Sequence, residues 1–158
     1  MKYSNVIYLS NIDSTNNYAL ANLTELIDKT VIVADIQTNG KARYGKSWIS
    51  SEMENIYLSI VLRPVEQDIK VYSALGITHY TALTVCNALA DYNIFAELKW
   101  PNDIMVNSRK IAGVLTENVL KNNALLGIVV GIGLNINITD QMEKKIDQPI
   151  ISMNCLVD

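Results

Sequence analysis

Ile56, Leu58, Ile60 and Leu62 alternate with Tyr57, Ser59 and Val61, the two-residue period of a strand. Thr30 to Ile36 is β-branched and apolar and predicts another strand, and a polar, glycine-marked loop lies between the two. Ahead of them, Leu20, Leu23, Leu26 and Ile27 recur at three- and four-residue spacing behind Asp13 and Ser14, either of which can cap a helix ending near Asp28. From about Ile69 to Tyr92, Leu75, Thr78, Ala82, Val85 and Leu89 keep helical spacing and predict a long helix laid against a sheet. Short strands follow near 94–100, 103–106 and 110–117, then Leu125 to Asn135, with turn signals at Pro101-Asn102-Asp103, Asn107-Ser108 and Asn122-Asn123. Strands this closely spaced imply hairpins, so the sheet is at least partly antiparallel. Runs of strands with two flanking helices predict an α+β layer rather than a doubly wound sheet. After Thr139, Gln141 to Ile146 predicts a helical turn and Pro149-Ile150-Ile151-Ser152 the lead into a helix.

Length and charge narrow this picture. A chain of 158 residues with 49% hydrophobic positions fills one core rather than two, so residues 1–158 are read as one domain. With 13 Lys+Arg against 16 Asp+Glu, the net charge of -3 gives no general electrostatic reason to expect a nucleic-acid partner. The opening MKYSNVIYLSNIDSTNN lacks a basic segment followed by an apolar one, and no apolar run reaches the roughly 18 residues of a membrane span. A cytoplasmic protein without a membrane partner is therefore expected. Cys86 and Cys155 are too few for a disulfide framework and are read as free thiols. His79 and Cys86 can share a helix face, but two ligands do not make a metal site, and the metal ligands stay unassigned.

Gly40-Lys41-Ala42-Arg43-Tyr44-Gly45-Lys46-Ser47 satisfies the phosphate-loop pattern GxxxxGK[ST] letter for letter. That mechanism needs a helix to begin at the Lys-Ser position, so that its amides face the phosphates. Here Trp48-Ile49-Ser50-Ser51 and an alternating strand follow instead. What survives is a cation-rich loop, Lys41, Arg43 and Lys46 within six residues, in which two glycines let backbone approach a ligand closely. It is a candidate anion site.

Five segments taken in order resemble the catalytic domain of biotin protein ligases. They are Asp13-Ser14-Thr15-Asn16; Gln37 with the loop Gly40 to Lys46 and Trp48; Lys99-Trp100-Pro101-Asn102-Asp103; Arg109 to Leu115 through Glu117; and Gly131-Ile132-Gly133-Leu134-Asn135. The resemblance runs from about Leu9 to Met153. It implies the α+β fold of that family, which is related to the class II aminoacyl-tRNA synthetases: a mixed, largely antiparallel sheet flanked by helices, with the ligand pocket on one face. It also implies a two-step ligase reaction. Biotin and MgATP give biotinyl-5'-adenylate and pyrophosphate, and a lysine of a carboxylase's biotin carboxyl-carrier domain then takes the biotinyl group. Family members often dimerise through the sheet, so a homodimer is also admitted.

The resemblance assigns roles by position. Lys99 and Arg43 are the catalytic pair, cations that hold the biotin carboxylate against the α-phosphate. A carboxylate is already ionised at pH 7 and needs positioning rather than a general base. Ser14, Thr15, Asn16 and Gln37 supply donors and acceptors for the ureido group, with Gly40, Lys41, Ala42, Arg43, Lys99 and Gly113 completing the biotin site. Arg43, Lys46, Trp48, Asn102, Asp103, Lys110 and Asn135 fall to the nucleotide, Trp48 as a cover for adenine. Gly113, Gly131 and Gly133 lie inside strands, where glycine weakens a sheet unless something approaches the backbone, so the ligand is expected against them.

The loop departs from the family's usual Gly-Arg-Gly-Arg-x-Gly-Arg/Lys, with Lys41 for the first arginine and Ala42 for the middle glycine. Lysine lacks the planar bidentate fork, and alanine at positive φ would be strained. No N-terminal winged-helix segment is expected, and the small C-terminal β-barrel common in the family is read as absent or truncated. Alternatives are a lipoate or octanoate ligase of the same fold, a non-catalytic biotin-binding module, and a nucleotidase.

Overall fold

The computed structural model describes residues 5–50, 54–63, 73–122 and 124–157. In chain order the strands are β1 (Val6–Ile12), β2 (Val31–Gln37), β3 (Gly40–Lys41), β4 (Ser47–Trp48), β5 (Ile56–Leu62), β6 (Glu97–Lys99), β7 (Asp103–Val106), β8 (Arg109–Lys121) and β9 (Ala124–Leu134). The helices are α1 (Thr15–Ala21), α2 (Ser73–Ala90) and α3 (Asp140–Glu143). Seven strands build one sheet in the order β1-β2-β5-β9-β8-β7-β6, and β3 pairs with β4 as a small separate hairpin. Only β1 and β2 run parallel in the large sheet; the other neighbours are antiparallel. The expected mixed, largely antiparallel α+β architecture is what forms. The β7–β8 hairpin turns on Asn107 and Ser108, both at positive φ (51° and 61°), the twist that a two-residue hairpin requires.

The two faces of the sheet carry different cores. Residues directly opposite in neighbouring strands share a face. One row runs Lys99, Asp103, Gly113, Gly133, Tyr57, the next Leu115, Gly131, Ser59, and a third Glu117, Val129, Val61. Helix α1 covers the far part of this face, where Ala19, Leu23 and Leu26 cluster with Ile32, Val61 and Val129. On the opposite face, Ala112, Val114, Ile128 and Val130 pack with Ala82 and Leu89 of α2, a helix without a single Lys, Arg, Asp or Glu. At about 25 cal/mol per Å² of apolar area, both layers contribute strongly to the fold.

The structure adds to the sequence reading and revises it at α1. Helix α1 stops at Ala21 rather than near Asp28: the Asn22 N–H makes the last helical bond, to the Tyr18 carbonyl at 3.1 Å, its side-chain amide caps the same oxygen at 2.9 Å, and its backbone leaves the helical region at φ -106° and ψ 14°. Leu23 and Leu26 still reach the core from the turns that follow. Strand β1 has no counterpart in the sequence reading: its inward Ile7 and Leu9 alternate with equally apolar, outward Val6 and Tyr8, so no polar face marks it. In β5 the more buried face is Tyr57, Ser59 and Val61, because the site face is also covered. Pro149 to Ser152 runs extended, the Lys110 N–H donating to the Pro149 carbonyl at 2.9 Å and the Ile151 N–H to that of Lys110 at 3.0 Å, and leads as expected into a short 3-10 helix, Met153–Cys155. The expected start of α2 near Ile69 lies outside the described residues, and no helix among those described is long and apolar enough to cross a membrane.

Candidate active site

Between the basic loop and the sheet lies a cavity of about 570 Å³. Its floor is glycine. An added Cβ at Gly113 would stand 2.9 Å from the Trp48 ring, one at Gly133 would stand 2.6 Å from it, and one at Gly131 would stand 3.0 Å from Cγ of Asn16. The strand glycines therefore do admit a close approach, but it is the indole of Trp48 and the amide of Asn16 that lie against them, where the sequence places the ligand itself. The ring of Trp48 is the inner wall of the cavity.

At the α1 end the lining is polar and uncharged. Ser14, Thr15 and Asn16 are almost wholly buried, and Ser14 starts the helix in extended backbone without capping through its side chain. The Gln37 carbonyl oxygen accepts from the Thr15 N–H at 2.9 Å and from its hydroxyl at 3.1 Å, while Gln37 Nε2 donates to Ser50 at 3.0 Å. Ser59 adds a hydroxyl 2.7 Å from that of Thr15 and 2.6 Å from the Asn16 amide oxygen. Buried polar groups need such partners, and here they form a connected network.

At the other end the lining is cationic. Arg43 donates to the Asn102 amide oxygen at 3.1 Å and to the Tyr44 hydroxyl at 3.0 Å, with its guanidinium 4.8 Å from the Tyr44 ring centroid. Lys110, largely buried, sits 2.8 Å from the Asp103 carboxylate and 5.1 Å from the centre of the Trp48 ring. Lys46 is exposed at the cavity's mouth. Lys41 is held at 2.5 Å by Glu117, so one of the loop's three cations is already neutralised. Helix geometry is absent where a phosphate loop would need it: Lys46 is followed by β4. Positive φ falls on Tyr44 (58°) and Gly45 (72°), whereas Ala42 is extended at φ -131° and ψ 179°, so alanine in the family's glycine position carries no strain.

Most residues that the sequence nominates meet at this cavity: Ser14, Thr15, Asn16, Gln37, Lys41, Ala42, Arg43, Lys46, Trp48, Asn102, Asp103, Lys110, Gly113 and Asn135 all line it. Two do not. Gly40 lines a smaller hollow beneath the loop, and Lys99 is exposed at the end of β6, one strand beyond Asp103 on the outer edge of the sheet. Asn135 lines the cavity but spends its amide donors on the carbonyls of Lys110 and Ile151, at 3.3 and 3.2 Å, fastening the C-terminal segment to β8. Ser59, Glu117 and the segment Lys145 to Gln148 were not nominated. Ser59 carried one signal, a lone hydroxyl in an apolar strand; the segment, polar and irregular, carried none. Burial raises the Tyr57 phenol above its ordinary pKa, with the Glu54 carboxylate adding to it against hydrogen bonds from Asn55 and Ser50. Among the described residues no cluster of three His, Cys, Asp or Glu side chains could hold a metal by itself.

Known proteins share this sequence pattern and fold. The sequence model of the biotin/lipoate A/B protein ligase family matches residues 8–135. A bifunctional ligase/repressor BirA of Bacillus spizizenii is 36% identical over 135 residues, covering 84% of this chain and 40% of that protein. The solved biotin protein ligase of Aquifex aeolicus in complex with biotin and ATP superposes with a TM-score of 0.77 at 30% identity, over 98% of this chain and 62% of that one. Plasmodium falciparum LipL1 in complex with lipoate shares the fold alone, with a TM-score of 0.64 at 12% identity over 98% of this chain and 56% of that one. The chain thus spans less than two thirds of these relatives, and within that span the family match, the motifs and the fold agree: it belongs to the biotin/lipoate A/B protein ligase family.

Proposed function

We propose that this chain is the catalytic core of a biotin protein ligase, converting biotin and MgATP to biotinyl-5'-adenylate and passing the biotinyl group to a lysine of a biotin carboxyl-carrier domain. The observation that carries this reading is the two-ended cavity, with uncharged donors and acceptors at α1 and cations with an indole at the loop. A ureido-bearing carboxylic acid and a nucleotide, laid end to end, need such a lining.

In the first step a biotin carboxylate oxygen bonds to the α-phosphorus of ATP and the bond to pyrophosphate breaks. Two anions must be brought together, and Arg43 and Lys46 supply the positive field that reduces their repulsion, while Lys110, paired with Asp103, offers its remaining N–H donors to a phosphate. Lys99 joins them from its row beside Asp103: its ammonium has no ion partner among the described residues and is free to turn toward a bound anion. Asp103 and Asp147 are the cavity's carboxylates, and Mg²⁺ held mainly by substrate phosphates needs no more than one or two. In the second step the carrier's lysine amine attacks the acyl carbonyl, AMP leaves, and the amine's proton passes to solvent.

The test is formation of acyl-adenylate from α-phosphate-labelled ATP and Mg²⁺ with biotin, lipoate, octanoate or no acid. Biotin-dependent product, lost by at least about 100-fold in Arg43→Ala and Lys99→Ala with the fold intact, is the expected result. Product with lipoate or octanoate in place of biotin assigns the chain to the alternative ligase. Biotin binding without product makes it a non-catalytic module, and ATP hydrolysis that ignores every acid makes it a nucleotidase.

A further inference from the structure

Glu117 lies in the middle of β8, in a sheet row with Val129 and Val61, and its carboxylate is only a quarter exposed. A carboxylate among valines loses hydration and persists only if other groups replace the water. Both of its oxygens are used. Oε1 accepts from the Lys41 ammonium at 2.5 Å, and Oε2 accepts from Asn16 Nδ2 at 2.8 Å. One side chain thus joins three elements: the basic loop, the sheet and the first turn of α1.

We propose that Glu117 is a positioning residue for the reaction, latching the basic loop to the sheet and fixing which way round the Asn16 amide faces the pocket. The assignment rests on the proposed function, but its two parts are physical. Two charged side chains of the loop reach out of it, Arg43 to Asn102 in the turn between β6 and β7 and Lys41 to Glu117 in β8, and loss of the second leaves only the first. An amide can turn by 180° and exchange acceptor for donor unless both ends are held. Asn16 is held at both: Nδ2 by Glu117 at 2.8 Å, with a longer bond to the Leu115 carbonyl at 3.5 Å, and Oδ1 by the Ser59 hydroxyl at 2.6 Å. The Gln37 amide is set separately by the backbone N–H of Thr15, so what Glu117 fixes at the uncharged end of the cavity is the Asn16 amide. Lys41 accordingly acts through Glu117 and not as a free ligand for anions.

Two variants of the 158-residue chain separate the parts. Glu117→Gln removes the charge that holds Lys41 but keeps an acceptor for Asn16; Glu117→Ala removes both. Tryptic nicking after Arg43 or Lys46, followed by mass spectrometry without any ligand, reads the latch. Both variants are expected to be nicked about 5-fold faster than the parent, the scale of a partly exposed ion pair. In biotin-dependent adenylate formation, Glu117→Ala is expected to show a KM for biotin about 10-fold above that of Glu117→Gln, with kcat changing less, the scale of a hydrogen bond to a charged group. Parental nicking in Glu117→Gln overturns the latch, and equal KM in the two variants overturns the amide role. If Glu117→Ala does not fold, Glu117→Met, which keeps the bulk of the side chain without an acceptor for Asn16, takes its place with the same 10-fold expectation. A parent that forms no biotinyl-adenylate refutes the functional reading, and nicking still decides the latch.

Discussion

The Lys110 ammonium stands 2.8 Å from the Asp103 carboxylate, with the Lys110 side chain 11% and that of Asp103 24% exposed. Each neutralises the other where neither is well hydrated. Lys110→Met leaves Asp103 unpaired and is expected to lower stability by about 3 kcal/mol, whereas adding Asp103→Asn removes the orphaned charge and restores most of it. Adenylate formation should fall about 100-fold in both, since neither restores the cation at the cavity. Denaturant unfolding alongside the adenylate assay checks this; a double variant that regains activity would assign Lys110 a purely structural role.

Trp48 rests on Gly133, and an added methyl there would stand 2.6 Å from its Cζ2 and closer still to Cε2. Gly133→Ala should therefore lift the indole off the sheet. In a Trp100→Phe background, where Trp48 is the remaining tryptophan, emission is expected to shift to longer wavelength and ATP affinity to drop about 10-fold, the scale of a lost aromatic cover. Unchanged emission would mean that the ring already leaves this seat in solution.

Gly131 gives Asn16 its place, and a Cβ would come within 3.0 Å of the Asn16 Cγ. Since Asn16 is pinned to both Ser59 and Glu117, it cannot step aside without breaking a bond. Gly131→Ala is expected to cost about 1–3 kcal/mol in unfolding free energy and to weaken biotin binding about 10-fold, read by calorimetry. Parental affinity would show that Asn16 does not contact biotin.

Ala42 is extended, at φ -131° and ψ 179°. Restoring the family's glycine should relieve nothing and should loosen the unfolded chain, lowering stability by about 0.5 kcal/mol while adenylate formation stays within about twofold. A several-fold gain in rate for Ala42→Gly would show that turnover passes through a loop conformation with positive φ at this position.

The sequence by itself determined the elements whose pattern is local. Strand β5 is read with its ends in place because a two-residue period over seven positions admits one structure, and β7 because turn residues bound it on both sides. Most of the residues nominated from the motifs also line one cavity. The sequence excluded a phosphate loop from the absence of a helix after Lys46, and β4 stands in that place.

Tertiary structure decided what depends on partners far away in the chain. Ser59 looks like one polar position in an apolar strand; only the folding of α1 over β5 makes it the centre of a buried network. Lys41 and Arg43 look alike in sequence, yet one is claimed by Glu117, 76 positions on, and the other by Asn102, 59 positions on. Lys99 and Lys110 reverse their apparent prominence because β6 is the outer strand and β8 an inner one. Spacing along a chain fixes which face a side chain takes, but ion pairing and burial are set by strand order, which appears only when the sheet is assembled.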